Sequence, residues 1–310
     1  MMICYLQKAL TKFLIVSLSG YRLLQPWPNN LHQRVRFVDL REQVQNTMNE
    51  ISAVARCYDE VYVMFSGGRD SLVTLHLTIN ALSRDKDKTV KALFIDTGIS
   101  TPGLIDYIKY VTKDLDVKLE VVRPRYDYFE LVLKKGFPTI RRRWCKEYLK
   151  MRPLKEWIRE KQKRILLVTG VRKDESWMKS KCHKYVMHPL LKVPTYAPIF
   201  EWNRNTVIKY IKFHNLYENP LYKLYGKAYD CWCSVYKSPA DFALLALNNP
   251  SFFKKFVNLE SKLRSGGSGL YYGRRKIYFW KIMENPHAYL ERYKIKGLCP
   301  ICRLLFRPRI

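Results

Sequence analysis

The sequence predicts an α/β protein: a parallel, twisted sheet covered by helices, with a mainly helical C-terminal extension. Three observations predict it. Short apolar, β-branched runs at Val61–Phe65, Lys91–Ile95, Val117–Val122 and Ile165–Thr169 alternate with segments of helical periodicity, the pattern of strands joined by covering helices. Glycine- and acid-bearing segments follow three of those runs, SGGRDS, DTG and TGVRKDES, and in a parallel sheet such segments share the edge where ligands bind. The chain is long and apolar enough for a large core, with 310 residues, 47% hydrophobic and 14% aromatic, which argues against disorder.

The elements follow in order. Met1–Leu24 reads as a helix packed on the body. Its FLIVSLSG stretch after Lys8 and Lys12 looks like the apolar region of a signal peptide, but it is short and lacks a small-x-small cleavage site. No stretch approaches the ~20 apolar residues of a membrane span, so no membrane partner is expected, and free thiols point to the cytoplasm. Gln25–Asn30 breaks the chain, and Val35–Arg56 resumes as a helix with Val38, Leu40, Val44, Met48, Ile51 and Val54 near helical spacing. Beyond the first strand, Asp70-Ser71 opens a helix. Pro102 starts another, Tyr126–Lys135 forms a third, and Trp144–Lys161 a longer one that Pro153 kinks or divides. Asn203 caps a helix over Arg204–His214. Pro239–Leu247 and Pro250–Leu263 are helical, Ser265–Gly269 is a flexible joint, and the tail Leu270–Ile310 is basic and aromatic. The divisions expected are residues 1–56, a helical extension; 57–225, a nucleotide-binding α/β domain; and 226–310, a cysteine-containing basic region.

The segment VYVMFSGGRDSLVT carries the strongest functional signal. A strand enters a turn with two glycines, which let the backbone approach an anion closely, and a helix start follows, whose N–H groups and dipole favour negative charge. Ser66 and Ser71 add hydroxyls, and Arg69 adds a fixed charge. This is a phosphate cradle formed by Ser66, Gly67, Gly68, Arg69, Asp70 and Ser71. It is neither G-x-x-x-x-G-K-S/T nor G-x-G-x-x-G. It resembles the S-G-G-x-D-S loop of the PP-loop (HUP-like) nucleotide enzymes, which handle ATP through its pyrophosphate.

Several further segments, in the right order over Val61–Leu263, resemble the phosphoadenosine phosphosulfate reductase family of that superfamily. They are FIDTG, RRRWCKEYLKMRPL, TGVRKDES, APIFEWNRNTVIKYI, NPLY and DCWC. The combination of RWC, GVR-x-x-ES and CWC is also similar to the sulfurtransferases of DNA phosphorothioation, which carry an iron–sulfur cluster; tRNA-thiolating enzymes share the superfamily. The resemblance implies ATP, or an adenylyl sulfate (APS or its 3′-phosphorylated form PAPS), at the loop. Two departures stand out. The family's C-terminal E-C-G-L-H motif is absent, its nearest analogue being Gly297-Leu298-Cys299, and Cys231-Trp232-Cys233 is one residue tighter than C-x-x-C.

Individual residues then take roles. Asp70 holds Mg²⁺ or caps its helix. Asp96, at a strand end, meets a metal or a ribose, while Thr97 and Gly98 let adenine lie close to backbone. Gly170 and Arg172 follow the fourth strand, Arg172 to clamp phosphate or sulfate and Glu175 to orient it or cap a helix. Cys145, Asp70 and Arg172 are the expected catalytic set. Of eight cysteines, Cys4, Cys57 and Cys182 match no motif. Cys145, Cys231, Cys233, Cys299 and Cys302 form the candidate set for an iron–sulfur cluster or, alternatively, zinc. His76, His183, His188 and His214 show no ligand spacing.

Net charge is +29, from 56 basic and 27 acidic residues. Small anions need only a local basic pocket, whereas a global excess favours polyanions. Tracts at Arg141–Arg143, Arg159–Arg164, Arg274–Lys276, Arg292–Lys296 and Arg303–Arg309, interleaved late in the chain with Tyr271, Tyr272, Tyr278, Phe279, Trp280, Tyr293 and Phe306, suit tRNA or DNA as partner. The expected activity is sulfur transfer onto a nucleic acid or other acceptor, with ATP cleaved to AMP and pyrophosphate and a sulfur-donor protein as a further partner. Reduction of APS or PAPS, through Cys299 or Cys302, is the alternative, and a non-catalytic binding protein the third.

Overall fold

The computed structural model describes residues 31–85, 88–263, 270–272 and 275–293. The expected Met1–Leu24 helix, the Gln25–Asn30 break, the Ser265–Gly269 joint, Cys299 and Cys302 lie outside the described residues. Compactness divides the chain between Asp39 and Leu40.

Helix α1 (Leu31–Ala55) is followed by β1 (Glu60–Met64), α2 (Arg69–Leu82), β2 (Thr89–Ile95), α3 (Leu104–Asp114) and β3 (Lys118–Val122). Successive side chains of a strand point to opposite faces. Val61 and Val63 accordingly join one apolar cluster with Ile51 and Ala55, while Tyr62 joins a second with Leu93, Leu154 and Leu167. Burial on both faces is why these strands read as continuous apolar runs rather than as alternating ones. Helix α4 (Tyr128–Lys135) starts two residues later than expected, because the Asp127 carboxylate accepts from Phe129 N and Glu130 N and sets the cap.

The expected helix over Trp144–Lys161 is a composite. One turn, α5 (Trp144–Lys146), passes into a π-helical turn (Glu147–Met151) and then into α6 (Arg152–Arg159). Pro153 has no N–H and would clash with the carbonyl four residues back. The wider turn relieves this, with Arg152 N donating to Glu147 O.

Strand β4 (Ile165–Val168), a 3₁₀ turn (Lys173–Glu175), α7 (Trp177–Ser180), β5 (Tyr185–Met187) and β6 (Pro194–Tyr196) complete a six-stranded sheet in the order β3-β2-β1-β4-β6-β5. All neighbours are parallel except β5 and β6. These last two strands have three residues each, too short to leave a periodic signal.

Asn203 caps α8 (Arg204–Phe213) by accepting from Thr206 N at 2.9 Å, as its sequence predicts. Then come α9 (Leu221–Tyr225), α10 (Pro239–Asn248), α11 (Pro250–Lys262), the hairpin β7 (Leu270–Tyr272) and β8 (Arg275–Ile277), α12 (Phe279–Glu284) and α13 (Pro286–Arg292). Phe242, Phe253, Phe256 and Phe279 interlock edge-to-face and tilted. They join the cluster that contains Val61 and Val63, so the C-terminal helices and the sheet share one core. No helix among the described residues is long and apolar enough to cross a membrane.

Candidate functional site: a glycine loop and a thiol cavity at the sheet edge

The loop after β1 is built as a close backbone turn. Gly67 has φ +79°, and a Cβ there would stand 2.6 Å from Leu104 Cδ1, so both conformation and space call for glycine. Gly68 is the N-cap of α2, in extended conformation. Ser66 Oγ lies 3.3 Å from Ser71 Oγ, and the latter donates to Gly68 O at 2.9 Å. Asn219 Nδ2 donates to Gly67 O at 3.0 Å, and Tyr222 OH accepts from Arg69 N at 3.2 Å. The NPLY segment thus clamps the loop from 152 positions further along the chain. The N–H groups of the first turn of α2 have no intrahelical acceptors and, with the helix dipole, make this end attractive to an anion.

Four expected roles change, those of Asp70, Arg172, Arg69 and Gly170, while Glu175 caps a helical turn as expected. Asp70 does not cap α2; its Oδ1 accepts from Arg172 Nε at 2.8 Å, and burial pushes its carboxyl up, opposed by that guanidinium. Arg172 is buried and is held by Asp70 and by Asp174, so it ties the loop after β4 to α2 rather than standing open as a clamp. Arg69 is committed to Glu218 and lies over the Tyr222 ring, 4.2 Å from its centroid. Glu175 closes the 3₁₀ turn, accepting from Arg172 N at 2.9 Å, and pairs with Lys179. Gly170 is a packing glycine: a Cβ there would stand 2.7 Å from the Asp70 carbonyl carbon and 2.8 Å from Ser71 N.

Beyond β2, Asp96 Oδ1 accepts from Gly98 N at 3.1 Å and Oδ2 accepts from Arg123 Nε at 3.1 Å. Gly98, at φ +76°, has open space on the side where a Cβ would sit. The same loop anchors the cysteine segment: Trp232 N donates to Ile99 O at 2.9 Å, and its Nε1 to Thr101 Oγ1 at 2.9 Å. Trp232 is fully buried, and it fixes the cysteines on either side.

Cys145, Cys231 and Cys233 converge in space. With Thr97, Arg143, Lys146, Lys150, Asp230 and Lys237 they line a cavity of about 300 Å³. The thiol hydrogen bonds run from Cys231 to Cys233, 3.5 Å apart, and from Cys233 to Cys145. Accepting from Cys233 holds the Cys145 thiol below its usual range, against burial. Donation to Cys233, with burial, pushes Cys231 well up, and donation to Cys145 pushes Cys233 up. Cys145 is therefore the thiol most disposed to ionise. Lys150 pairs with Asp230, and its charge favours thiolate at Cys145. Thr97 Oγ1 is buried without a hydrogen-bond partner. Ser234 and Tyr236 both take positive φ, +69° and +62°, which is backbone strain beside the thiols.

No group of three or more His, Cys, Asp or Glu side chains among the described residues is arranged to hold a metal ion. The described donors stop at three thiols, one short of the four thiolates that structural zinc and iron–sulfur sites use. The donor set is not complete without the outlying Cys299 and Cys302. Sequence reading passed over Glu218, Thr101 and the Lys150–Asp230 pair, whose partners are distant in the chain, and Asp174, which pairs with Arg172 inside the same motif.

Residues 60–234 match the phosphoadenosine phosphosulfate reductase domain. The chain belongs to the phosphoadenosine phosphosulfate reductase family. Two uncharacterized proteins of Methanocaldococcus jannaschii are 28% and 30% identical to it over 74% and 68% of this chain. The chain spans about half the length of these relatives, 54% and 44%. The phosphoadenylyl-sulfate reductase of Candida auris, solved as a phosphate complex, is 19% identical with a TM-score of 0.47, over 67% of this chain and 97% of that one.

Proposed function

We propose that this family member activates an acceptor with ATP and transfers sulfur to it, the acceptor being a nucleic acid. The observation that carries the reading is the convergence of Cys145, Cys231 and Cys233 on a cavity also lined by Arg143, Lys146, Lys150 and Lys237, beside the loop that follows β2. The net charge of +29 supports a polyanionic acceptor.

ATP phosphates lie on the first turn of α2, where N–H groups and the dipole stabilise the charge that develops as pyrophosphate leaves. An acceptor oxygen attacks the α-phosphorus, the α–β P–O bond breaks, and pyrophosphate departs. A Mg²⁺ ion bound with the nucleotide would be held by its phosphates together with Asp70 or Asp96, and would neutralise phosphate charge. A persulfide sulfur on Cys145, delivered by a donor protein, attacks the activated centre and AMP leaves. The acceptor is then disulfide-linked to Cys145. Cys233, already hydrogen-bonded to Cys145, attacks that disulfide at the Cys145 sulfur, frees the thiolated acceptor and leaves a Cys145–Cys233 disulfide for an external dithiol to reduce.

The products of ATP test this reading. With tRNA or DNA and a persulfide donor, the full chain should release AMP and pyrophosphate in equal amounts, and Cys145→Ser should stop thiolation. Failure to form AMP with any nucleic acid, together with sulfite release from PAPS or APS under a dithiol reductant, would replace it with the reductase reading.

A further inference from the structure

A second cavity, of about 420 Å³, lies in the C-terminal module between β8, α12 and α13, apart from the residues that build the loop and the thiol cavity. In its lining Lys276, Lys281 and Arg292 alternate with Tyr278, Tyr289 and Tyr293, and Ile277 completes it. Lys276 Nζ is buried with no hydrogen-bond partner and stands 5.0 Å from the Tyr278 ring centroid. Lys281 Nζ is 5.8 Å from the same ring and 5.2 Å from that of Trp280. Tyr289 and Tyr293 are stacked, with 8° between their planes and centroids 5.8 Å apart. Glu260, on α11, feels the charge of Lys276, but its Oε1 is itself buried without a hydrogen-bond partner. A buried ammonium without an acceptor is costly unless an anion reaches it.

We propose that this cavity binds an unpaired nucleotide of a single-stranded nucleic acid, its phosphate among Lys276, Lys281 and Arg292 and its base on the tyrosines. The inference rests on the nucleic-acid reading above and gives it a location. Cations alone would suit any phosphate. Rings interleaved with them suit a base carried on a phosphate, because every base has a face to stack whereas inorganic phosphate has none. Such a site grips the strand and leaves the acceptor position to the thiol cavity.

The test is fluorescence anisotropy of the full chain with labelled single-stranded RNA, single-stranded DNA and duplex DNA at several salt concentrations, with polyphosphate as competitor. Single strands should bind more tightly than the duplex. Tyr278→Ala should weaken them by about 5- to 150-fold, while Tyr278→Phe, which keeps the ring, should bind as the native chain does. Lys281→Ala with Arg292→Ala, both at exposed positions, should lower the slope of log affinity against log salt by roughly 1.4, at about 0.7 per lost phosphate contact, and this pair reads the site even if Tyr278→Ala fails to fold. A preference for RNA over DNA assigns the strand through its 2′-hydroxyl. If the native chain binds nucleic acid and all these variants bind equally, the cavity assignment falls and the parent reading stands. If the native chain binds none of the probes at low salt, both fall. If polyphosphate competes as well as the oligonucleotide and Tyr278→Ala has no effect, the base contact is overturned.

Discussion

At the scale of single residues, the candidate site depends on two glycines for different reasons. Gly67 supplies a left-handed turn, and Gly170 lets the loop after β4 rest directly on the backbone of α2. Replacing Gly170 with Ala would press a methyl group to 2.7 Å from the Asp70 carbonyl carbon, and backbone cannot rotate aside as a side-chain tip can. The expected cost is about 1–3 kcal/mol, read as a lower urea midpoint, with nucleotide affinity falling alongside because the displaced atoms belong to the cradle. An unchanged midpoint would mean that the two segments separate freely. Asp70 and Ser71 test the cradle from within: replacing both with Ala removes the carboxylate that holds Arg172 and the hydroxyl bonded to Gly68 O. Calorimetric affinity for ATP or an adenylyl sulfate should be lost. Retention of native affinity would place the nucleotide elsewhere.

At the scale of elements, two contacts set where the loops sit. Trp232 pins the cysteine segment to the loop after β2 through Thr101 and Ile99. Trp232→Ala should cost about 3–5 kcal/mol as a large buried ring is lost, whereas Trp232→Phe keeps most of the volume and loses the bond to Thr101, about 1 kcal/mol. Urea midpoints separate the two. Helix α2 meets α8 through His76, whose Nδ1 lies 2.7 Å from Tyr210 OH, with the His214 ring 5.0 Å away. Burial, helped by His214, lowers the His76 pKa to about 4. A histidine lowered in the fold binds fewer protons there than in the unfolded chain. Its contribution to stability is complete above an unfolded value near 6.5 and is lost as pH falls toward about 4. Stability should decline across that window, and His76→Gln should flatten the decline. An equal slope in the variant would assign the effect to other groups.

At the scale of the whole molecule, the sheet order places the loops after β1, β2 and β4 on adjacent strands at one edge. Three segments distant in sequence thereby become one site, and residues from 219 to 233 close over it. A ligand that binds only the assembled edge stabilises the entire unit. ATP at a hundredfold excess over its dissociation constant should add about 2.7 kcal/mol, seen as a rise in melting temperature that the Asp70→Ala, Ser71→Ala double variant does not show. If both proteins rise equally, the nucleotide is bound away from this edge.

The sequence by itself determined the α/β class, the four longer strands, the Asn203 cap, the SGGRDS loop and the order of motifs that defines the family. These are local signals: a run of β-branched residues, a glycine pair before a helix and a side chain bonded to its own helix start all depend on neighbours a few positions away. Only the tertiary structure decided the partners of the charged groups. Asp70 and Arg172, or Arg69 and Glu218, are far apart in the chain, and a lone acid or base in a motif does not state which opposite charge will reach it. The strands β5 and β6 likewise escaped notice because three residues carry no period; they are strands through pairing with each other and with β4. The π-helical turn was half legible: Pro153 announced a break in the helix, but not that a wider turn, with Arg152 N bonded to Glu147 O, would carry the chain through it. The thiol trio was legible as a set and not as a geometry. Its hydrogen bonds, running to Cys145, exist because Trp232 is buried against the loop after β2, a contact between residues more than a hundred positions apart that no local spacing encodes.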